Sequence, residues 1–171
     1  MVWSAIGARA SEAQRGARKF LGPAAVDSVQ LHDFRDGYFP AHFAAIKDSF
    51  ESLARDFTPD VVFTHARDDR HQDHRIISDL TWNTFRNQLI LEYEIPKWDG
   101  DLSQPNSYVP VSRSAALRKS KALVEVFGTQ RTKDWFSEET FLGLMRLRGI
   151  ECRAPDGYAE GYLARKAILL L

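Results

Sequence analysis

The chain has 171 residues and a mass of 19.5 kDa, enough for about one domain with a substantial hydrophobic core. Its 23 Lys and Arg residues equal its 23 Asp and Glu residues, which excludes the broad positive field that non-specific binding to nucleic acids or anionic membranes needs. The single cysteine, Cys152, excludes an internal disulfide and a cysteine-rich zinc site. We therefore expect one domain over residues 1–171 in a reducing, cytoplasmic setting, with no nucleic-acid partner and no membrane span.

The apolar pattern predicts an alternation of strands and helices. Continuous or period-two apolar runs predict strands at residues 2–6, 28–34, 61–63 and 89–95. Helical spacing of apolar side chains predicts helices at residues 12–21, 43–57, 72–87, 114–127 and 138–148. A polar loop is expected at residues 96–110, and a final extended or irregular segment at residues 158–171.

This alternation predicts an α/β fold with a Rossmann-like, mostly parallel sheet flanked by helices. Ligands of such sheets bind at the carboxyl ends of the strands. The rule directs attention to the loops that follow residues 6, 34 and 64.

A histidine-rich cluster lies in the third of these loops. Three of the five histidines fall within ten residues, interleaved with aspartates: His65, Asp68, Asp69, His71, Asp73 and His74. His71 and His74 are three residues apart at a predicted helix start, so both imidazoles lie on one face. Neutral imidazole and carboxylate suit Zn²⁺. The alternative is a solvated polar loop in which Asp73 only favours the positive end of the helix.

A zinc site of this kind supports hydrolysis. The metal lowers the pKa of a bound water, a carboxylate accepts its proton, and a histidine stabilises the developing oxyanion. His/Asp clusters also serve metal phosphoesterases, which would release phosphate instead of a carboxylic acid.

The cluster resembles a known family. Residues 59–65, PDVVFTH, followed by residues 68–75, DDRHQDHR, are similar to the LmbE/PIG-L family of zinc-dependent sugar de-N-acetylases. Residues 80–86 and 91–97 resemble bacterial members associated with surface polysaccharides and aminoglycans. The resemblance implies removal of an N-acetyl group from an N-acetylglucosamine-type amino sugar or glycoconjugate, and it leaves open whether the chain forms a homo-oligomer.

The resemblance also implies roles for individual residues. His74 corresponds to a zinc ligand, His71 to the histidine that stabilises the oxyanion or protonates the amine, and Asp73 to a group that orients its histidine neighbours. Substrate binding is implied for four residues: Arg9, Asp36, Asp69 and Glu160. Simpler readings exist for three of them, namely a solvated helix start at Arg9, ordinary Asp-Gly turn chemistry at Asp36 and an edge-strand salt bridge at Glu160.

One part of the family pattern is missing from this sequence. The family begins with a strand that ends in Ala-His-Pro-Asp-Asp, which supplies two zinc ligands and the general base, and no such string occurs here. The expectation is that the first strand–helix unit of the fold is missing, which leaves His74 as the one family ligand and a weak metal site. The alternative function is a catalytically inactive homologue that binds a sugar or a protein.

Overall fold

A computed structural model describes residues 1–167, without the side chains of residues 25–27. Within this range the five α-helices are α1 (Ala8–Leu21), α2 (Phe43–Asp56), α3 (Gln72–Thr84), α4 (Arg113–Val126) and α5 (Glu138–Glu151). The four strands are β1 (Val61–His65), β2 (Leu89–Tyr93), β3 (Ser107–Val111) and β4 (Tyr158–Leu163). Short 3₁₀ helices occupy Pro23–Ser28, Phe39–His42 and Gly128–Gln130. No helix in the described range is long and apolar enough to cross a lipid bilayer.

The strands form one sheet in the order β1-β2-β4-β3. β1 and β2 are parallel, in register from Val61 opposite Leu89 to His65 opposite Tyr93, and α3 provides the crossover that a parallel pair requires. β4 runs antiparallel to β2. The α/β fold with helices flanking a sheet is therefore confirmed, and the sheet is mixed rather than mostly parallel, because β4 runs opposite to β2.

The chain divides into two compact units. The first comprises Met1–Asp36, Pro96–Trp98 and Val109–Glu160. The second comprises Gly37–Ile95, Asp99–Tyr108 and the chain from Gly161 onward. The expectation of one domain stays a prediction.

The first unit contains α1, α4 and α5. A buried carboxylate, Glu12 of α1, accepts hydrogen bonds from the backbone N–H and the hydroxyl of Thr129, at 2.8 and 2.6 Å. Gly16 gives Phe127 room, because a Cβ at this position would lie 3.1 Å from the phenyl ring. These contacts pack α1 against residues 127–129, which lie more than a hundred residues later in the sequence.

The second unit contains α2, α3, β1 and β2. α3 begins after the extended His71, and its buried Ile77 and Leu80 face the core. The hydroxyls of Thr64 in β1 and Thr81 in α3 lie 3.0 Å apart and are both buried. This polar contact fixes α3 against the strand that carries the first histidine of the cluster.

Several predicted elements differ in the structure. Residues 2–6 and 28–34 do not form strands; they meet in two isolated bridges, Val2 with Leu31 in parallel and Ser4 with Asp33 antiparallel, so no continuous ladder forms. Residues 107–110 belong to β3 instead of a loop, and Pro110 is tolerated there because β3 is the last strand in the sheet order. Residues 168–171 of the predicted final segment lie outside the described range.

Candidate metal centre

Three groups that can ligate a metal converge where β1 passes into α3. His65 ends β1, Asp69 lies in the following loop, and His74 lies in the first turn of α3. One ligand atom from each lies within 4.8 Å of the other two. Asp69 is buried, and the two histidines are half-buried.

The carboxylate of Asp69 orients the imidazole of His74. Asp69 Oδ2 lies 2.8 Å from His74 Nδ1, and Asp69 Oδ1 accepts the backbone N–H of His71 at 2.8 Å. A carboxylate on Nδ1 favours the tautomer that keeps the proton there, so the lone pair of His74 resides on Nε2. His74 therefore presents Nε2 as its metal-ligating atom.

The rings of His65 and His74 are stacked. Their centroids lie 4.0 Å apart and their planes differ by 5°. The lone pair of an imidazole nitrogen lies in the plane of its ring. Because the two rings are stacked and nearly parallel, their lone pairs lie in separate planes and do not converge on one point, so a metal shared by both would require one ring to rotate. The donor types fit zinc, and the present geometry fits ligation by His74 with Asp69 behind it.

His71 flanks this pair. Its ring centroid lies 4.5 Å from that of His74, with the planes tilted by 33°. Its buried Nδ1 has no hydrogen-bond partner among the described residues. His71 thus lies next to the candidate ligand with a ring nitrogen uncommitted.

Tyr93 completes the other side of the cluster. Its hydroxyl lies 3.4 Å from His65 Nε2, and the two rings are 5.1 Å apart. Desolvation of the phenol, together with the charge of Asp69, raises the pKa of Tyr93 well above its ordinary value. The hydroxyl therefore stays protonated and can donate to the imidazole.

Asp73 makes different contacts. It is 2% exposed, and its two oxygens accept the backbone N–H groups of Gly37 and Phe39, the latter at 3.0 Å. Gln72 Nε2 also donates to the carbonyl of Gly37, at 3.0 Å. These bonds fasten residues 37–39 to the start of α3. Of the two aspartates, Asp69 is the one that bonds a histidine ring.

Three of the predicted substrate-binding residues lie in the first unit. Arg9 Nη1 contacts Asp36 Oδ2 at 3.0 Å, and both side chains are substantially exposed. Glu160 accepts from Lys119 Nζ at 2.7 Å. Asp69, the fourth, belongs to the histidine cluster of the second unit.

Two members of the site, His65 and Tyr93, were not assigned roles from the sequence. A signal existed for both, because parallel β1 and β2 end at the same edge and place His65 opposite Tyr93. The rule that ligands gather at the carboxyl ends of parallel strands could have found them once β2 was paired with β1.

Comparison with known proteins finds one matching family model. Residues 3–85, just under half of the chain, match the family model PIG-L, described as GlcNAc-PI de-N-acetylase. The match confirms the resemblance seen in the histidine-rich segment and supports a function of the de-N-acetylase kind. No curated protein sequence gives a significant match.

Solved structures share the fold. A conserved protein from Thermus thermophilus is 19% identical with a TM-score of 0.65, over 96% of this chain and 75% of that one. GalB, the 4-carboxy-2-hydroxymuconate hydratase from Pseudomonas putida, is 15% identical with a TM-score of 0.66, over 96% and 73%. The N,N'-diacetylchitobiose deacetylase from Pyrococcus horikoshii, in complex with its inhibitor MPG, is 23% identical with a TM-score of 0.61, over 91% of this chain and 62% of that one.

Proposed function

We propose, from the match of residues 3–85 to the PIG-L family model, that this chain is a zinc-dependent hydrolase that removes the N-acetyl group from an N-acetylglucosamine-type amino sugar or glycoconjugate. The observation that carries the proposal is the bond between Asp69 and His74, which leaves His74 Nε2 to hold a metal beside His65 and His71. We place the reaction in polysaccharide or glycoconjugate biosynthesis in the cytoplasm, a reducing compartment that the single cysteine suits.

The metal would be held by His74 through Nε2, with His65 able to join after rotation of its ring. When bound, zinc supplies Lewis-acid activation of water and of the amide carbonyl. Asp69 keeps the proton on His74 Nδ1 and so preserves the ligating lone pair on Nε2. This division of labour assigns Asp69 to metal positioning, in addition to the substrate contact implied by the family.

His71 is the residue we assign to proton transfer. In amide hydrolysis the water oxygen adds to the acetyl carbon, the C–N bond breaks, and the two protons of the water end on the departing nitrogen, which gives acetate and an ammonium group. His71 lies beside His74 and has an uncommitted ring nitrogen. In its protonated form it can stabilise the negative charge on the carbonyl oxygen and then give its proton to the departing nitrogen.

Asp73 supports this arrangement through the backbone. By accepting the N–H groups of Gly37 and Phe39, it fixes the first turn of α3, which carries His74. We propose Asp73 as a positioning residue for the histidines.

Substrate recognition is proposed for Arg9, Asp36 and Glu160. Arginine and carboxylate side chains bind sugar hydroxyls through charge-assisted hydrogen bonds. In the structure these side chains form exposed or half-buried ion pairs. Replacing such an ion pair by hydrogen bonds to a sugar costs little free energy. The relative from Pyrococcus horikoshii acts on an acetylated amino sugar, which supports the same substrate class here.

The second candidate function is a module that binds a sugar or a protein without turnover. The observation that favours it is the lack of a His-Pro-Asp-Asp string in the 171 residues, since that string holds the general base of the family pattern. The fold alone does not decide the reaction, because one structural relative is a hydratase.

The test is an assay of the purified chain with Zn²⁺. Acetate and free amine are measured with N-acetylglucosamine and N,N'-diacetylchitobiose, with and without a chelator, and with His74→Gln as the matched variant. Zinc-dependent acetate release, lost on chelation and in the variant, supports the deacetylase. Saturable sugar binding without acetate release supports the binding module and overturns the hydrolase. Phosphate release from sugar phosphates would instead indicate a phosphoesterase.

A further inference from the structure

We propose that Arg165, in the segment after β4, is a positioning residue for the metal centre: it clamps the loop between β1 and α3 to the buried carboxylate of Glu92. The inference rests on the proposed function and deepens it. It assigns a role in metal affinity to a residue that lies 91 positions after His74 in the sequence.

Glu92 is the fixed point of the clamp. Its side chain is fully buried in the second unit, on β2. It accepts hydrogen bonds from Trp82 Nε1 at 2.8 Å, from the backbone N–H of Arg67 at 3.1 Å, and from Arg165 Nε at 2.8 Å. A buried carboxylate is costly without a partner of opposite charge, and Arg165 supplies that charge.

Arg165 has a second contact at the loop. Its Nη2 lies 2.8 Å from Oδ2 of Asp68, a residue whose side chain is 80% exposed. The hydrogen bond to Glu92, reinforced by the one to Asp68, raises the pKa of Arg165 further above its already high value. The planar guanidinium, with donors pointing in different directions, can bridge two carboxylates at once, which a lysine ammonium does poorly.

The clamp holds the loop at two consecutive residues. Arg67 is held through its N–H on Glu92, and its guanidinium lies 4.7 Å from the centre of the Trp82 ring. Asp68 is held through Arg165. The next residue is Asp69, whose carboxylate orients His74.

The position of the Asp69 carboxylate thus depends on a loop tied to Glu92 and Arg165. An exposed ion pair such as Asp68 with Arg165 contributes little to stability by itself. The ion pair matters because it positions the loop. A small displacement of Asp69 would change its hydrogen bond to His74 Nδ1, and this bond keeps the lone pair of His74 on Nε2. Loss of groups that orient a metal-binding histidine typically weakens metal affinity about 10–100-fold.

The experiment measures Zn²⁺ affinity by chelator competition, and the absorption spectrum of the Co²⁺-substituted protein. The variants are Arg165→Met, Arg165→Lys and Asp68→Asn. Lys166→Met is the matched control, since its ammonium bonds the carbonyl of Arg86 and not the loop. We expect about a 10-fold loss of Zn²⁺ affinity and an altered Co²⁺ spectrum in Arg165→Met. Smaller changes are expected in Arg165→Lys and Asp68→Asn, and none in Lys166→Met.

A folded Arg165→Met protein with unchanged Zn²⁺ affinity and Co²⁺ spectrum overturns the inference and leaves the proposed function standing. If Arg165→Met does not fold, Asp68→Asn decides, because Asp68 is exposed and its loss should leave the fold intact. In that case an unchanged Asp68→Asn overturns the clamp. An unaltered chain that binds no Zn²⁺ overturns both the clamp and the proposed metal centre.

Discussion

The imidazoles of His65 and His74 are stacked face to face, with 4.0 Å between their centroids. The stack separates their roles, since the ring-nitrogen lone pairs of two parallel imidazoles lie in separate planes and do not converge on one point. With Asp69 bonded to Nδ1 of His74, this histidine is the one prepared to ligate.

The stacked arrangement predicts an asymmetry between two substitutions. His74→Gln should abolish measurable Zn²⁺ binding, because it removes the oriented ligand. His65→Phe keeps an aromatic ring in the stack and should weaken Zn²⁺ affinity less. Isothermal titration of both variants measures the difference. Equal losses in the two would show that His65 and His74 ligate together, which requires the rings to leave the stacked geometry.

Asp69→Asn should lower Zn²⁺ affinity about 10–100-fold, since the neutral amide no longer favours the proton on Nδ1 of His74 as strongly. Chelator competition measures the affinity. The matched control is Asp79→Asn on the exposed face of α3, which removes one negative charge away from the cluster. If the two variants lose the same amount of Zn²⁺ affinity, the net negative charge near the site governs metal binding, and the orientation of His74 by Asp69 does not.

His71→Gln should separate binding from turnover. We expect Zn²⁺ affinity close to that of the unaltered chain, and a deacetylation rate lowered about 10²–10⁴-fold, the usual contribution of a positioned acid or base. The measurements are zinc stoichiometry and kcat for acetate release. A variant that loses its zinc together with its activity would place His71 among the ligands.

Asp73→Ala should act mainly through stability. The substitution leaves the N–H groups of Gly37 and Phe39 without their acceptor, which costs about 1–3 kcal/mol in the free energy of unfolding. Urea unfolding followed by circular dichroism measures it. The loss of Zn²⁺ affinity in the folded variant should be smaller than in Asp69→Asn. The opposite order would make Asp73 the principal partner of the histidines.

The raised pKa of Tyr93 predicts that the free energy of unfolding depends on pH in the alkaline range. The pKa of the phenol is raised in the folded state, so the unfolded chain releases this proton first, at its ordinary pKa of about 10. The contribution of Tyr93 to the free energy of unfolding is therefore fully present below about pH 10, and it is lost as the pH rises above that value. Tyr93→Phe should lose less free energy of unfolding between about pH 9 and 11 than the unaltered chain. Parallel curves for the two proteins would contradict this.

The sequence predicts the elements that carry the histidines better than the contacts between them. β1, α3 and β2 lie where apolar periodicity places them, although α3 ends at Thr84, three residues early, where Phe85 turns into the core. The bond from Asp69 to His74 was not predicted, because it depends on how the intervening loop folds back on the helix. Spacing along a chain reports which residues share a helix face, and it carries no such information for a loop.

The same limit applies to longer-range contacts. Arg165 and Glu92 are 73 residues apart, and their ion pair follows from the antiparallel placement of β4 beside β2. The order of strands is not encoded in local periodicity. Residues 2–6 give a second example. Their apolar run is typical of a strand, but it makes only the isolated bridges at Val2 and Ser4, because local sequence does not determine whether a partner strand pairs continuously.

The contact between Glu12 and Thr129 has a consequence for the order in which the protein is made. The two residues are 117 positions apart, so on a ribosome α1 emerges on the order of ten seconds before its partner. During that interval the contiguous stretch from Gly37 to Ile95 is already available to fold. The segment that carries the histidines can thus begin to fold before α1 makes its contact with Thr129.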